Sequence, residues 1–382
     1  MAVRMKDIAQ DLGVSLVTVS KALRNHEDIS EQTRERVLRR VKEVNYRPNL
    51  AARALVTGKT HLVGLVVPDL VHPFFAQVAR RLSSVLRKKE YGLVISSSLE
   101  DPELERQEIE HLLARGADCI FVASTQVTTE SFHRIQDQNT PYILVDRKLA
   151  GLAANFVGVD DERVGMMATE HLVEIGCRRI AHIGAPDVSP ALGRLEGYRR
   201  TLARHGMQIS EEYVVIQPHG DDDGDTTGYD AMKKLLTLRP IPDGVFCHND
   251  PRALGAMKAI LDAGLRIPDD IAIIGCGNLR YSDSLRVPLS TIDQDSESIG
   301  EHAAKLSFSL MESKKPPRPT TILVEPKLVV RDSTRRSGTR QKQPAHAPPP
   351  PEVVNRSSNR PETVRLAQGG PQGVFGVVAS KH

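Results

Sequence analysis

Apolar positions near the N-terminus recur at helical spacing, then give way to short continuous runs. Met5, Ile8, Ala9 and Leu12 fall at i, i+3, i+4 and i+7, the stripe of an amphipathic helix. Gly13 breaks it, and Ser15 is an N-cap type for a second segment in which Val19, Ala22 and Leu23 keep the spacing. Leu16, Val17, Thr18 and Lys21 are left on other faces. A third segment starts near Ser30, has Glu31 in its first turn, and lines up Val37, Leu38, Val41 and Val44. Two short helices joined by a tight glycine-containing turn are the helix-turn-helix pattern. A second helix too short to bury much makes sense if its outer face enters a major groove, with its N-terminal residues against base edges.

From His61 onward, short apolar runs alternate with amphipathic segments. LVGLVV (62–67), GLVISSS (92–98), CIFVAS (119–124) and YILVD (142–146) read as buried parallel strands, with crossover helices over 75–87, 103–114 and 129–136. A second series follows: RIAHIG (179–184), YVVIQ (213–217), GVFCHND (244–250) and IAIIG (271–275), with helices over 165–175, 194–205, 228–236 and 253–263. The fold class is therefore α/β: an N-terminal all-α helix-turn-helix domain, then two doubly wound subdomains. A ligand cleft is expected between their strand C-terminal edges. The stretches near 290–294 and 321–330 are expected to cross back between the halves.

Charge sharpens this picture. Among the 382 residues, 1–60 carry 12 Lys/Arg against 7 Asp/Glu, and 331–382 carry 9 against 3, while the middle sits at −8. Basic ends around an acidic middle point to a polyanion partner at one end. No apolar run reaches the ~20 residues of a membrane span, and residues 1–11 lack the apolar core of a signal peptide, which points to a cytoplasmic protein with no membrane partner. Cys119, Cys177, Cys247 and Cys276 are scattered without metal-like spacing and read as buried free thiols. After Ser333, Pro, Gly, Ser, Gln and basic residues with few apolars predict disorder.

Here the chain resembles the lactose-repressor (LacI/GalR) family of bacterial regulators. KDIAQDLGVSLVTVSKALRN is followed at the right distance by ISEQTRERVLRRVKEVNYRPNLAARAL. The resemblance continues through VPDLVHPFF, VDR, VGVDDERVGMMATEHLVEIGCRRIAHIG, GRLEGYRR, GVFCHNDPRALGAMKAI and LRIPDDIAIIG to VEPKLVVRDST. It implies a DNA-reading surface of Ser15, Leu16, Val17, Thr18, Ser20, Lys21 and Asn25, with Leu16, Val17 and Lys21 at base-reading positions. Apolar Leu16 and Val17 suit thymine methyls, whereas Lys21 reaches either a guanine edge or a phosphate. It also implies a hinge helix over 50–55, capped by Asn49 and bearing Ala52, Arg53 and Leu55. That helix folds when two subunits meet over the minor groove, and Leu55 wedges between base pairs. Such a segment is too short to be helical alone in water, and apolar wedges are a known bending device.

By position, the resemblance places Phe74, Phe75, Asp146, Arg147, Asp160, Arg194, Asn249 and Asp250 around a small-molecule effector, with a sugar favoured. Phe74 and Phe75 also fit an ordinary core, and Asp146 or Asp160 a helix cap. Two departures stand out. Gly275-Cys276-Gly277-Asn278 replaces the aspartate-bearing turn common in the family, and Asp222 and Asp223 stand about where a pocket aromatic is frequent. The 221–225 acidic run lacks the twelfth-position carboxylate of a calcium loop, Met232 standing there, and reads as a solvated turn.

No Walker A, G-x-S-x-G or H-E-x-x-H motif is found, no cofactor motif is complete, and the chain is expected not to be an enzyme. A transport receptor of the same core fold would need an export signal where this chain has its helix-turn-helix. The expected domains are 1–47 for the helix-turn-helix, 48–60 for hinge and linker, 61–333 for the effector-binding and dimerising core, and 334–382 for the tail. The expected partners are operator DNA, an effector and a second copy of the chain.

Overall fold

The computed structural model describes residues 3–46, 54, 58–217, 225–313, 315 and 317–336. The hinge positions Asn49, Ala52, Arg53 and Leu55, the acidic turn at 221–224 and the tail beyond 336 lie outside the described residues. Helices α1 (Met5–Leu12), α2 (Leu16–Leu23) and α3 (Glu31–Glu43) form the N-terminal bundle. Its core is Ile8, Ala9, Val19, Ala22 and Val37, with Leu12, Leu23, Val41 and Val44 packed around them. Leu38, expected on the same stripe, is instead 40 % exposed. It lies about 100° around the helix from Val37 and faces outward. Gly13 closes α1 in the left-handed region at φ +64, where an added Cβ is strained. Ser15 and Ser30 cap α2 and α3 by accepting the Thr18 and Thr33 amides at 3.0 and 3.3 Å.

The rest builds two lobes around two six-stranded sheets. The first series runs β1 (Leu62–Val67), α4 (Pro73–Arg87), β2 (Gly92–Ser97), α5 (Pro102–Ala114), β3 (Cys119–Val122), α6 (Glu130–Asp137), β4 (Tyr142–Val145) and β5 (Asn155–Val159). The second runs α7 (Asp161–Glu174), β6 (Ile180–Gly184), α8 (Ser189–Arg204), β7 (Val214–Ile216), α9 (Asp225–Thr237), β8 (Gly244–Cys247), α10 (Asp250–Asp262), β9 (Ala272–Cys276) and β10 (Ser290–Asp293). Then come α11 (Ser296–Glu312), β11 (Thr321–Val324) and β12 (Lys327–Val329). The strand orders are β11-β5-β4-β3-β1-β2 and β12-β10-β9-β8-β6-β7. All neighbours are parallel except β10 and β12. Each sheet reverses its order beside its first strand, so each has a ligand crevice at its C-terminal edge.

The backbone passes between the lobes after β5, after β10 and after β11. Helix α7 packs in the second lobe, α11 returns to pack on α4, β11 pairs with β5, and β12 pairs with β10. The crossing expected near 290–294 falls just after β10, and the one near 321–330 falls between β11 and β12. Strand β5 was not among the expected strands, because its Asn-Phe-Val-Gly-Val run is short and glycine-interrupted. All four cysteines are buried free thiols. Among the described residues no helix is long and apolar enough to cross a membrane.

Glycines set how closely α7 and α8 approach. A Cβ on Gly165 would collide with the Arg194 carbonyl, and one on Gly197 with the Glu162 carbonyl. Both obstacles are backbone and cannot swing aside. The pair α9 and α10 repeats the device at Gly228 and Gly255. We expect Gly197→Ala to cost about 1–3 kcal/mol by overpacking, lowering the melting temperature by roughly 2–4 °C per kcal/mol. An unchanged melting curve would show that the helices are not in backbone contact.

His171 and His182 are buried and hydrogen-bonded to neutral groups. His171 bonds Thr334 Oγ1 at 2.8 Å, which bonds Ser290 Oγ at 2.7 Å, stapling the chain's return to the second lobe. Burial pushes His171 down to about 4. His182, stacked on Tyr198, is held down to about 3 by burial, against the pull of its bond to the Phe246 carbonyl. Unfolded histidines titrate near 6.5, so below that pH the unfolded chain takes up protons that the fold refuses. Stability therefore falls as pH drops from about 6.5 toward 4, by roughly 1.4 kcal/mol per pH unit per histidine. His171→Gln should make that decline shallower in a melting series over the window; an identical slope would contradict the assignment.

Candidate functional site

The bundle presents one face built for contact. With Ser15 capping α2, Leu16 and Val17 at its first turn stand 50 % and 62 % exposed, although both are large apolar side chains. Thr18 bonds Ser15 through its hydroxyl at 2.8 Å, and Ser20 accepts a bond from Arg24 at 3.1 Å. Lys21 Nζ lies 2.9 Å from Asp28, whose carboxyl it holds below its usual value. Asn25 is exposed just beyond the helix in the left-handed region, at φ +53. The seven helix-turn-helix positions taken from the resemblance thus lie on α2 and the turn after it. Arg40 of α3 pairs with Asp11 of α1 at 2.5 Å, tying together the two helices that flank α2 in sequence.

A second polar assembly forms where the two sheets' C-terminal edges meet. His72 precedes α4, Glu100 follows β2, Asp146 and Arg147 follow β4, Asp161 opens α7, Arg194 lies on α8, Asn249 follows β8 and Gln294 follows β10. Arg147 Nη1 and Nη2 each donate to one Glu100 oxygen at 2.7 Å. Arg194, 3 % exposed, donates to Asp161 at 2.9–3.0 Å and to the His248 carbonyl at 2.7 Å. Gln294 Nε2 donates to Asp146 at 3.3 Å. Two more polar contacts join the lobes beside it: Ser189 Oγ accepts the Lys148 amide at 2.8 Å, and Asn249 Nδ2 meets His72 Nε2 at 3.3 Å.

Burial dominates the electrostatics here. It raises the Asp146 carboxyl, while Arg194 and Arg147 pull it back. It pushes Asp161 up to about 6, opposed by Arg194. It drives His72 down to about 4, so the imidazole is neutral near pH 7. Backbone strain gathers at the same edges. Leu99, Glu100, Asp146, Asp187, Asn278 and Asp295 all adopt positive φ between 43° and 65°, each in a turn following a strand. Non-glycine residues are held there only by strongly determining surroundings.

Four of the positions expected around an effector have other tasks. Phe74 and Phe75 are 4 % and 6 % exposed and pack edge to face within the core, so neither ring offers a stacking face to solvent. Asp160 is exposed and caps α7 by accepting the Arg163 amide at 3.2 Å. The Asp250 carboxylate is fully buried and takes bonds from Thr291 Oγ1 at 2.6 Å, the Leu279 amide at 2.9 Å and Ser282 Oγ at 3.3 Å. Those donors consume it in pinning the turn after β9. Asp146, Arg147, Arg194 and Asn249 do come together. Sequence reasoning missed His72, Glu100, Asp161 and Gln294. A signal existed for Asp161: in Asp160-Asp161 the first residue caps the helix, leaving the second to turn inward. Gly277, not Cys276, stands where the family's carboxylate is usual; Cys276 before it is 2 % exposed, and burial pushes its thiol up to about 12.

Comparison with known proteins bears on both parts of the chain. Residues 4–49 match the model of bacterial regulatory proteins of the lacI family, and residues 169–334 match a periplasmic binding protein-like domain. The ribose operon repressor of Halalkalibacterium halodurans is 31 % identical over 332 residues, 87 % of this chain and 97 % of that one. The chain belongs to the LacI family. It is a DNA-binding transcriptional regulator built on a helix-turn-helix and a periplasmic-binding-protein-like core. The HTH-type transcriptional repressor PurR of Haemophilus influenzae is 30 % identical over 337 residues, 87 % of this chain and 98 % of that one. Among solved structures, the lac repressor dimer bound to operator and the anti-inducer ONPF has a TM-score of 0.76 at 26 % identity, covering 87 % of this LacI-family chain and 99 % of that one. The transcriptional regulator CelR–cellobiose complex has a TM-score of 0.66 at 27 % identity, covering 87 % and 99 %.

Proposed function

We propose that this regulator is a homodimeric repressor whose affinity for a near-palindromic operator is set by a small molecule, a sugar or related metabolite, held between the lobes. The observation that carries the reading is the polar cluster of Asp146, Arg147, Arg194 and Asn249, assembled from both lobes where the chain crosses between them. Two relatives support it: one solved regulator is a cellobiose complex, and the lac repressor is a dimer on its operator. Leu16 and Val17 read bases by apolar contact, Lys21 adds a base-edge or phosphate contact, and Ser15, Thr18, Ser20 and Asn25 position the helix. Asn49, Ala52, Arg53 and Leu55 serve the hinge, with Leu55 as the minor-groove wedge. A ligand favouring one lobe angle changes the spacing of two hinges and so the population able to grip DNA. Moving that equilibrium from 1:99 to 99:1 takes about 10⁴-fold preferential binding, roughly 5.5 kcal/mol.

The test is an operator selected from random duplexes, followed by titration of variants at fixed salt, since phosphate contacts make affinity salt-dependent. Leu16 and Val17 substitutions should change which base is preferred, by about 1–3 kcal/mol per contact. Lys21→Ala should weaken binding, and Leu55→Ala should lower both affinity and DNA bending. Unaltered base preference in the Leu16 and Val17 variants would remove α2 from the reading role. Arg194→Ala and Asn249→Ala should leave selected-operator affinity nearly unchanged while abolishing its response to an effector.

A further inference from the structure

Asp28 is held against α2 by the way that helix ends. Asn25 adopts the left-handed region at φ +53, its amide donates to the Ala22 carbonyl at 3.2 Å, and the His26 amide donates to the Lys21 carbonyl at 3.1 Å. These are the two bonds of a Schellman cap, which turns the chain back toward the helix it leaves. Two further contacts fix the returning turn. Ile29 packs on the bundle core, and Arg34 Nη2 donates to the carbonyls of His26 and Ile29 at 3.2 and 3.3 Å. The Asp28 carboxylate therefore meets Lys21 from a fixed backbone, with Nζ donating to Oδ2 at 2.9 Å. His26 Nδ1 lies 3.4 Å from the same oxygen.

Lys21 stands one turn beyond Val17, on the side of α2 where Leu16 and Val17 are half or more exposed. A lysine ammonium is a compact charge on a flexible stem, free to follow a phosphate. Here the stem is tethered at its far end. One of the three ammonium protons is spent on Asp28 and two remain, while the pair as a whole carries no net charge. Such a pair gives up most of its attraction for a phosphate, which its carboxylate repels. The N7 and O6 acceptors of a guanine edge are uncharged and fixed in place, so a positioned donor suits them and the carboxylate does not repel them. Arg24, at the end of α2, is turned back along its own helix: Nη2 and Nε donate to Ser20 Oγ and the Ser20 carbonyl at 3.1 and 3.3 Å. An exposed ion pair adds little to stability, so its consequence lies in where the ammonium can go.

Resting on the reading role of α2 given above, we propose that Asp28 is a specificity-determining residue, which holds Lys21 off the phosphates and makes it a reader of guanine. Asp28 acts by positioning and touches no base itself. Its carboxylate lowers affinity for DNA in general and sharpens discrimination at one base pair of each half-site. Removing that negative charge strengthens binding to every duplex and blurs the distinction between them.

Full-length Asp28→Asn, titrated against a duplex selected from random sequence and against its single-base variants over a range of salt, tests this. Release of Lys21 to a phosphate should steepen the slope of log affinity against log salt by about 0.9 per subunit. Preference for guanine at one position of each half-site should fall by about fivefold or more. Asp28→Glu, which keeps the charge, should retain both the slope and the preference. In a Lys21→Ala background, Asp28→Asn should leave base preference where it was. Unchanged slope or preference in Asp28→Asn, or a Glu variant that behaves like the Asn one, would overturn the proposal. An equal steepening without Lys21 would also overturn it, because the carboxylate would then act on the phosphates directly. If Leu16 and Val17 variants shift base preference and Asp28→Asn does not, α2 keeps its reading role and only the Asp28 assignment falls. If none of them shifts it, the reading role itself falls.

Discussion

The chain's three passes between its two sheets, after β5, β10 and β11, constrain everything else in the core. A single connection would leave the lobes tethered at arbitrary orientation. Three passes tie the lobes together, and the C-terminal edges of both sheets meet where His72 contacts Asn249 and Asp146 contacts Gln294. Because parallel strands deliver their following turns to the C-terminal edge, residues far apart in sequence converge there. His72 and Asn249 are 177 positions apart, and Asp146 and Gln294 are 148 apart. The close approach at Gly165 and Gly197 then brings Asp161 beside Arg194 with little latitude.

Across the mouth of the cleft the closed arrangement is held lightly. Single polar contacts join Lys148 to Ser189, Asn249 to His72 and Gln294 to Asp146. A hydrogen bond contributes only about 1 kcal/mol net, so neither lobe angle has a commanding advantage from these bonds. That is the condition under which a ligand of modest differential affinity redistributes states. The turns at Glu100, Asp146 and Asn278 hold positive φ at the walls of each lobe. The helix-turn-helix and the polar cluster thus reside in different parts of the chain.

Much of this was legible in the residues. Helical stripes such as Met5-Ile8-Ala9-Leu12 and uninterrupted runs such as Leu-Val-Gly-Leu-Val-Val report burial through periodicity alone, and they placed the bundle and nearly every strand. The failures have physical causes. Strand β5 escaped because glycine and a short length blur its pattern, although pairing on both sides stabilises it. For Asp250 and Phe74, position along a motif says which turn a residue occupies, not which way it points. The Asp250 carboxylate faces the β9 turn because Thr291 and Leu279 offer donors there. His72 and Gln294 escaped because their partners lie on the other lobe, and no local spacing encodes a contact made through three crossings.

The account's central claim is that lobe angle and DNA grip are one equilibrium. Hydrogen–deuterium exchange on the full chain, free and saturated with a selected operator duplex, tests it most directly. Peptides covering the turns after β1, β4 and β8 lie in the cleft, outside the helix-turn-helix. The account predicts that operator binding changes their exchange by severalfold, alongside protection of α2. Protection confined to the N-terminal helices, with cleft peptides unchanged, would contradict it.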